Sequence, residues 1–209
     1  MMVVTDRTRS VRPLWEQVGM LAQAGAEMVI LREKDLGYDE RLELAARCLE
    51  ECETWEVPFS INSDIDVARK LDVCRIHLPM DLLRTSDLGD FSLVGASVHS
   101  PEEAAEAESL GADYIIAGHV YRTSCKSSDP RGLQFIRDVC QAVEIPVYGI
   151  GGINGSNFKD VIDAGATGVC CMSSAMEAQD PEAFVRGFSL RSAIIHKCIT
   201  RHRRDAIHP

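Results

Sequence analysis

Eight short runs rich in Val and Ile alternate with amphipathic stretches along the chain, and this alternation limits the fold more than any other feature. The runs are Met2–Thr5, Met28–Arg32, Pro58–Asn62, Arg75–Pro79, Val94–His99, Tyr114–Val120, Pro146–Ile150 and Gly168–Ser173. Each has the length and composition of a buried strand rather than a helix. Apolar residues recur at helical spacing through Leu14–Gly25, Arg41–Trp55, Pro101–Gly111, Leu133–Val143, Asn157–Gly165 and Pro181–Cys198, and more weakly through Ile65–Leu71 and Leu82–Leu88. Strict strand–helix alternation implies a parallel sheet covered by its own crossover helices. Eight such units close into a barrel more naturally than they spread into an open sheet. The expected fold is therefore α/β, a single (β/α)8 TIM barrel over residues 1–198, with a basic tail at 199–209. A chain of 209 residues is enough, since barrels of this kind typically use about 250 and manage with roughly 200.

Local signals agree with that reading. Ala24-Gly25-Ala26-Glu27, Leu110-Gly111-Ala112-Asp113 and Ala164-Gly165-Ala166-Thr167 each place glycine after a helical stretch and just before a strand. A left-handed helix cap is needed there, and glycine adopts it without steric cost. Ser100-Pro101-Glu102-Glu103 reads as an N-cap, a proline at the first helical position and acid in the first turn; Asp180-Pro181-Glu182 repeats the device. The tail residues Arg201-His202-Arg203-Arg204 read first as a solvated terminus, with a flap or an oligomer contact as the other reading.

Charge and cysteine usage narrow the function. Lys and Arg total 22 against 32 Asp and Glu, a formal net charge of −10. That opposes broad nucleic-acid binding, which needs a basic face, but leaves room for a local patch that holds one phosphate. No apolar stretch is long enough to span a membrane, and the first residues do not read as a secretory signal, so a cytoplasmic location is expected by default. The cysteines Cys48, Cys52, Cys74, Cys125, Cys140, Cys170, Cys171 and Cys198 include no CxxC pair. They read as small core residues rather than disulfides or a zinc site. A homo-oligomer is compatible with the sequence, which does not fix oligomeric state.

In a barrel of this type the chemistry sits at the C-terminal ends of the strands. Gly149-Ile150-Gly151-Gly152-Ile153 closes the seventh run and Met172-Ser173-Ser174-Ala175 the eighth. Barrels often hold phosphate in these two loops, where glycine lets backbone amides approach the oxygens. Tight turns alone would need the same glycines, but their placement beside Ser173 and Ser174 points to an anion. Arg32 and Lys34 flank Glu33, and a period of two puts both cations on one side of the chain, toward the mouth. An Arg–Glu structural pair is the competing reading. Asn62 and Ser63 follow the third run, and His99 ends the fifth. His119, near the end of the sixth, precedes a polar loop through Tyr121, Arg122, Thr123, Cys125, Lys126 and Arg131. A loop of that kind can close over a ligand. His119 could exchange a proton near neutral pH, although a histidine in a strand is more often packed or capped.

Together, Val3-Val4-Thr5-Asp6, Leu31-Arg32-Glu33-Lys34, Val94-Gly95-Ala96-Ser97-Val98-His99-Ser100, Gly111-Ala112-Asp113-Tyr114, Thr123 with Lys126, Gly149-Ile150-Gly151-Gly152-Ile153 and Gly165-Ala166-Thr167-Gly168-Val169 resemble the thiamine-phosphate-synthase/TenI superfamily from Val3 to Ser189. The resemblance implies a small phosphorylated thiazole as substrate, with Arg32, Lys34, Asn62, Ser97, Thr123, Lys126, Gly151, Gly152, Ser173 and Ser174 as binding residues. Synthases of this superfamily join a pyrimidine diphosphate to thiazole phosphate and use Mg²⁺ held by aspartates after strands 3 and 4. Ser63 and Leu82 stand at those positions here, and His119 stands where the synthases carry proline. The phrases Gly118-His119-Val120, Ser124-Cys125-Lys126, Arg131-Gly132 and Leu78-Pro79 are closer to the TenI-type thiazole tautomerases. That branch implies an isomerase that aromatises a thiazole carboxylate phosphate by a proton shift, with His119 as acid and base and no metal or other cofactor. The alternatives are a magnesium-dependent thiamine phosphate synthase and a non-catalytic regulatory protein that binds thiazole phosphate.

Overall fold

The computed structural model describes residues 1–123 and 128–188. Its strands are β1 (Met2–Val4), β2 (Met28–Leu31), β3 (Phe59–Asn62), β4 (Arg75–Pro79), β5 (Leu93–Val98), β6 (Tyr114–Gly118), β7 (Val147–Ile150) and β8 (Gly168–Cys171). They pair in parallel, in chain order, into a closed barrel, and β8 returns to β1 through Met2 beside Cys170 and Val3 beside Cys171. The helices are α1 (Leu14–Gln23), α2 (Tyr38–Thr54), α3 (Ile65–Lys70), α4 (Met80–Leu83), α5 (Pro101–Ser109), α6 (Gly132–Ala142), α7 (Phe158–Asp163), α8 (Ser173–Met176) and α9 (Pro181–Arg186). The single (β/α)8 TIM barrel expected from the alternation is the fold observed. The expected tail, the end of the last helix, Lys126, Cys125 and Cys198 lie outside the described residues.

Strand alternation produces two apolar layers. Met2, Val4, Met28, Ile30, Tyr114, Ile116, Tyr148 and Cys170 fill the barrel interior. Val3, Val29, Ile61, Ile76, Leu78, Ile115 and Val169 face outward and pack with Val18, Leu21, Ala45, Ile136 and Val139 on the helices. Both layers exclude water from strand backbone whose polar groups are already paired within the sheet.

The three repeated glycines do what their position demands: φ is +99° at Gly25, +89° at Gly111 and +110° at Gly165. Ser100 Oγ accepts from Glu103 N at 3.1 Å and Asp180 Oδ1 from Ala183 N at 2.9 Å, which caps α5 and α9 as expected. Two helices start elsewhere. α2 begins three residues before Arg41, because Gly37 is its cap and Glu40 reaches back to the Gly37 amide at 3.3 Å. A cap without a side chain leaves no residue-type signal of the usual kind. α4 begins at Met80, directly on Pro79, and the amides of Thr85 and Ser86 close its end onto Leu82. Among the described residues, no helix is long and apolar enough to cross a membrane.

Candidate active site

Inward-facing positions at the C-terminal ends of the strands open into a cavity of about 820 Å³. Its wall includes Val4, Ile30, Arg32 and Lys34 from the β1–β2 side, Asn62, His77, Pro79 and Ser97 from β3 to β5, and His119, Ile150 and Cys170 from β6 to β8. Thr123, Gly151, Gly152, Ser173 and Ser174 line it as well. Every binding residue expected from the sequence meets here, apart from Lys126, which is outside the described residues.

The period-two reading of Arg32-Glu33-Lys34 holds. Arg32 and Lys34 line the cavity, while Glu33 turns away into a buried polar cluster. Thr5 Oγ1 donates to Glu33 Oε1 at 2.7 Å, and the Arg7 amide donates to both carboxylate oxygens at 3.1 Å. Thr5 Oγ1 in turn accepts from Arg32 N at 2.8 Å. Glu33 thus ties the end of β1 to the end of β2 and fixes the frame from which the two cations project. Its ionic partner is Arg7, at 3.5 Å, rather than Arg32. Burial raises the Glu33 pKa above the usual carboxylate range, against the hydrogen bonds from Thr5 and Arg7 that lower it.

On the opposite side of β1, the β7 loop is shaped by close backbone approach. Gly151 and Gly152 have φ of +100° and +66°. A Cβ on Gly151 would lie 2.3 Å from His119 Cβ, and one on Gly152 would lie 2.5 Å from the Arg122 carbonyl oxygen. Tyr121 N donates to the Gly151 carbonyl at 2.9 Å, and Asn157 Nδ2 donates to the Gly152 carbonyl at 3.0 Å, so the turn is held from both sides. Ser173 opens α8 beside it. The first amides of a helix have no acceptor within the helix, so they add donors to this corner.

His119 packs against that loop, and its Nε2 lies 3.1 Å from the Ser128 carbonyl oxygen. A carbonyl only accepts, so Nε2 is the protonated nitrogen. The Arg131 amide donates to the His119 carbonyl at 3.0 Å. His119 therefore joins the two ends of the polar loop. His99, the other candidate base, is at the rim: its amide donates to Glu103 Oε2 at 2.6 Å and its Nδ1 lies 3.6 Å from the same carboxylate.

The floor holds a group that reading the chain for strand ends missed. His77 is 2% exposed. Its Nε2 is 2.8 Å from Ser97 Oγ and its Nδ1 is 3.2 Å from the Tyr114 hydroxyl. Burial pushes its pKa down to about 3, so the ring is neutral. The one available signal was its register, since His77 alternates with Arg75 and Pro79 on the strand face that reaches the mouth.

The residues present do not fit the magnesium that the synthase resemblance implies. Ser63 replaces the first carboxylate, and its hydroxyl donates to Asn62 Oδ1 at 3.0 Å. Leu82 replaces the second and packs against the hydrophobic core. Asp64 is one residue away but is ion-paired with Arg41 and caps α3 through the Val67 amide at 3.0 Å. Asp81 is exposed on α4 and does not line the cavity. Among the described residues, Asp6 is the one acidic side chain in the wall, and it accepts from Thr8 Oγ1 at 2.6 Å. No described group of three or more His, Cys, Asp or Glu could hold a metal.

Comparison with known proteins decides between the two branches. A family model described as thiamine monophosphate synthase matches residues 1–175. The thiamine-phosphate synthase of Syntrophomonas wolfei is 38% identical over 191 residues, covering 88% of this chain and 91% of that protein. That of Clostridium acetobutylicum is 35% identical over 183 residues, covering 85% and 87%. The solved thiamine phosphate pyrophosphorylase of Pyrococcus furiosus superposes with a TM-score of 0.81 at 30% identity, over 90% of this chain and 92% of that one. These relatives overturn the expectation of an isomerase: similarity across nearly the whole length points to synthases, which are transferases. The tautomerase reading rested on a few loop and strand-end phrases around His119 and Leu78-Pro79, and His119 loses with it the role of moving a ring proton. By the match along its length, the chain belongs to the thiamine monophosphate synthase family.

Proposed function

We propose that this barrel joins a pyrimidine diphosphate to a thiazole phosphate and releases pyrophosphate. The observation that carries the reading is the family match, whose bounds, residues 1–175, take in all eight strands that build the cavity. The thiazole nitrogen supplies the electron pair for the new bond to the methylene carbon of the pyrimidine. The bond from that carbon to the diphosphate oxygen breaks, and its pair leaves on pyrophosphate. No proton moves at the nitrogen, so the reaction needs positioning and anion stabilisation rather than a base. Gly151, Gly152, Ser173 and Ser174 seat the thiazole phosphate. Arg32 and Lys34, from the β2 side, and Arg131 face the diphosphate charge. Asn62, Ser97 and Thr123 orient the rings, and Lys126 is assigned to the ligand by resemblance. The residues at strands 3 and 4 do not fit Mg²⁺, so these cations and backbone amides are the groups that meet the phosphate charge. A cytoplasmic setting suits two soluble phosphorylated substrates.

Ser63 and Leu82 favour a second reading, a barrel that binds thiazole phosphate without transferring anything to it. One assay separates the two. Purified protein is given both substrates, in parallel with magnesium and with EDTA, and pyrophosphate release is followed by a coupled enzyme. Under the main reading, pyrophosphate and thiamine phosphate form in equal amounts, and His119→Asn stays within about tenfold of wild type, below the 10²–10⁴-fold typical of a lost acid–base group. Thiazole phosphate binding with no pyrophosphate in either buffer would establish the second reading instead.

A further inference from the structure

The barrel floor carries a chain of polar side chains linked by hydrogen bonds. Tyr114, 3% exposed, lies in the interior of β6 with its hydroxyl 3.2 Å from His77 Nδ1. The ring's other nitrogen is 2.8 Å from Ser97 Oγ, and Ser97 lines the cavity. The fold makes room for this contact. A Cβ on Gly95, which sits between the two rings, would come within 2.1 Å of Tyr114 Cζ and 2.5 Å of His77 Nδ1. His77 is also held through its backbone, where its carbonyl accepts from Ser63 N at 2.9 Å and Asn62 Nδ2 at 3.2 Å. One residue therefore braces β3, β5 and β6 under the ligand.

We propose that His77 is a positioning residue that keeps the Ser97 hydroxyl as a hydrogen-bond donor toward the ligand. A neutral imidazole has one donor nitrogen and one acceptor nitrogen. In this arrangement the Tyr114 hydroxyl donates to His77 Nδ1, its hydrogen-bond partner at 3.2 Å, and the buried Ser60 Oγ beside the same hydroxyl is the competing acceptor. With Nδ1 accepting, the proton sits on Nε2 and is donated to Ser97 Oγ. The Ser97 hydrogen then points away from the ring, to the cavity. The ligand atom seated over Ser97 must accept and carry no proton, which suits a ring nitrogen lone pair or a phosphate oxygen. A charged ring would donate from both nitrogens and lose Nδ1 as an acceptor for Tyr114, and burial keeps His77 from charging near neutral pH. The inference rests on the proposed reaction only for the choice of probes.

Two measurements test it. In protein labelled with ¹⁵N-histidine, long-range ¹H–¹⁵N correlation spectra report which nitrogen holds the proton, and His77→Gln assigns the signal. The expected result is a neutral ring protonated on Nε2 from pH 5 to pH 8, and Tyr114→Phe shifts the population toward Nδ1. A wild-type ring protonated on Nδ1, or a charged one in that range, overturns the proposal. The second measurement is a double-mutant cycle on binding of thiazole phosphate and of the pyrimidine diphosphate. Ser97→Ala should weaken one of the two probes about tenfold, and that probe shows which substrate supplies the acceptor. Tyr114→Phe should weaken the same probe in wild type but not in the Ser97→Ala background. Equal weakening in both backgrounds means that Tyr114 and His77 act only through packing, and the proposal fails. If neither probe binds, the proposed reaction is wrong, and the spectra alone still decide the state of His77.

Discussion

Replacing Gly152 with Asp is expected to weaken thiazole phosphate binding by at least about 100-fold, a loss of roughly 2.7 kcal/mol. Three effects act in the same direction. The backbone at this position has φ of +66°, which costs an ordinary L-residue about 1–2 kcal/mol. A Cβ there would lie 2.5 Å from the Arg122 carbonyl oxygen and 2.8 Å from Tyr121 Cβ, so the turn must move. The new carboxylate would also face the phosphate, and like charges repel in a site partly shielded from water. Gly152→Ala carries the first two effects without the third and should lose about tenfold. Calorimetric titration reads both variants, and a circular-dichroism melt checks that each remains folded. An affinity within threefold of wild type in the folded Gly152→Asp protein would place the phosphate elsewhere.

The second large effect concerns stability. Glu33→Ala should cost about 3 kcal/mol in urea unfolding, within the range for breaking a buried, hydrogen-bonded charge. The substitution strands the Thr5 hydroxyl and the Arg7 amide, both of which now donate to the carboxylate. It also removes one partner of the Arg7 guanidinium, although Arg7 keeps its two bonds to Asp35, each 2.8 Å long. Glu33→Gln retains an acceptor for Thr5 and should lose less than Glu33→Ala. If Glu33→Ala loses under 1 kcal/mol, the cluster does not fix the β1–β2 mouth as argued.

What could be read along the chain follows from how local each signal is. Strand and helix order came through because each element carries its own periodicity. The caps at Gly25, Gly111 and Gly165 came through because left-handed geometry selects one residue type. Arg32 and Lys34 were placed correctly on the cavity wall by strand alternation alone. Interactions between distant residues were not visible. Glu33 is 28 residues from Thr5 and 26 from Arg7, and nothing near Glu33 marks it as their partner. His77, Ser97 and Tyr114 are separated by 20 and 37 residues from the histidine and meet only when the barrel closes. The activity follows the same rule: single phrases at strand ends, such as Gly118-His119-Val120, point to the tautomerase branch, whereas similarity spread across the chain points to the synthases. The missing carboxylates at Ser63 and Leu82 were legible in the sequence, and the structure brings no other carboxylate of the described residues into their place.

A crystal structure of the protein with thiazole phosphate bound tests the central claim most directly. The expected result puts the phosphorus against the amides of the Gly151–Gly152 turn and the start of α8 at Ser173 and Ser174, with the thiazole ring lying between Ser97 and the β2 side of the cavity. A phosphate held instead by Arg32 and Lys34, with the β7 and β8 loops empty, would contradict the assignment of the two ends of the site and the orientation of the reaction built on it.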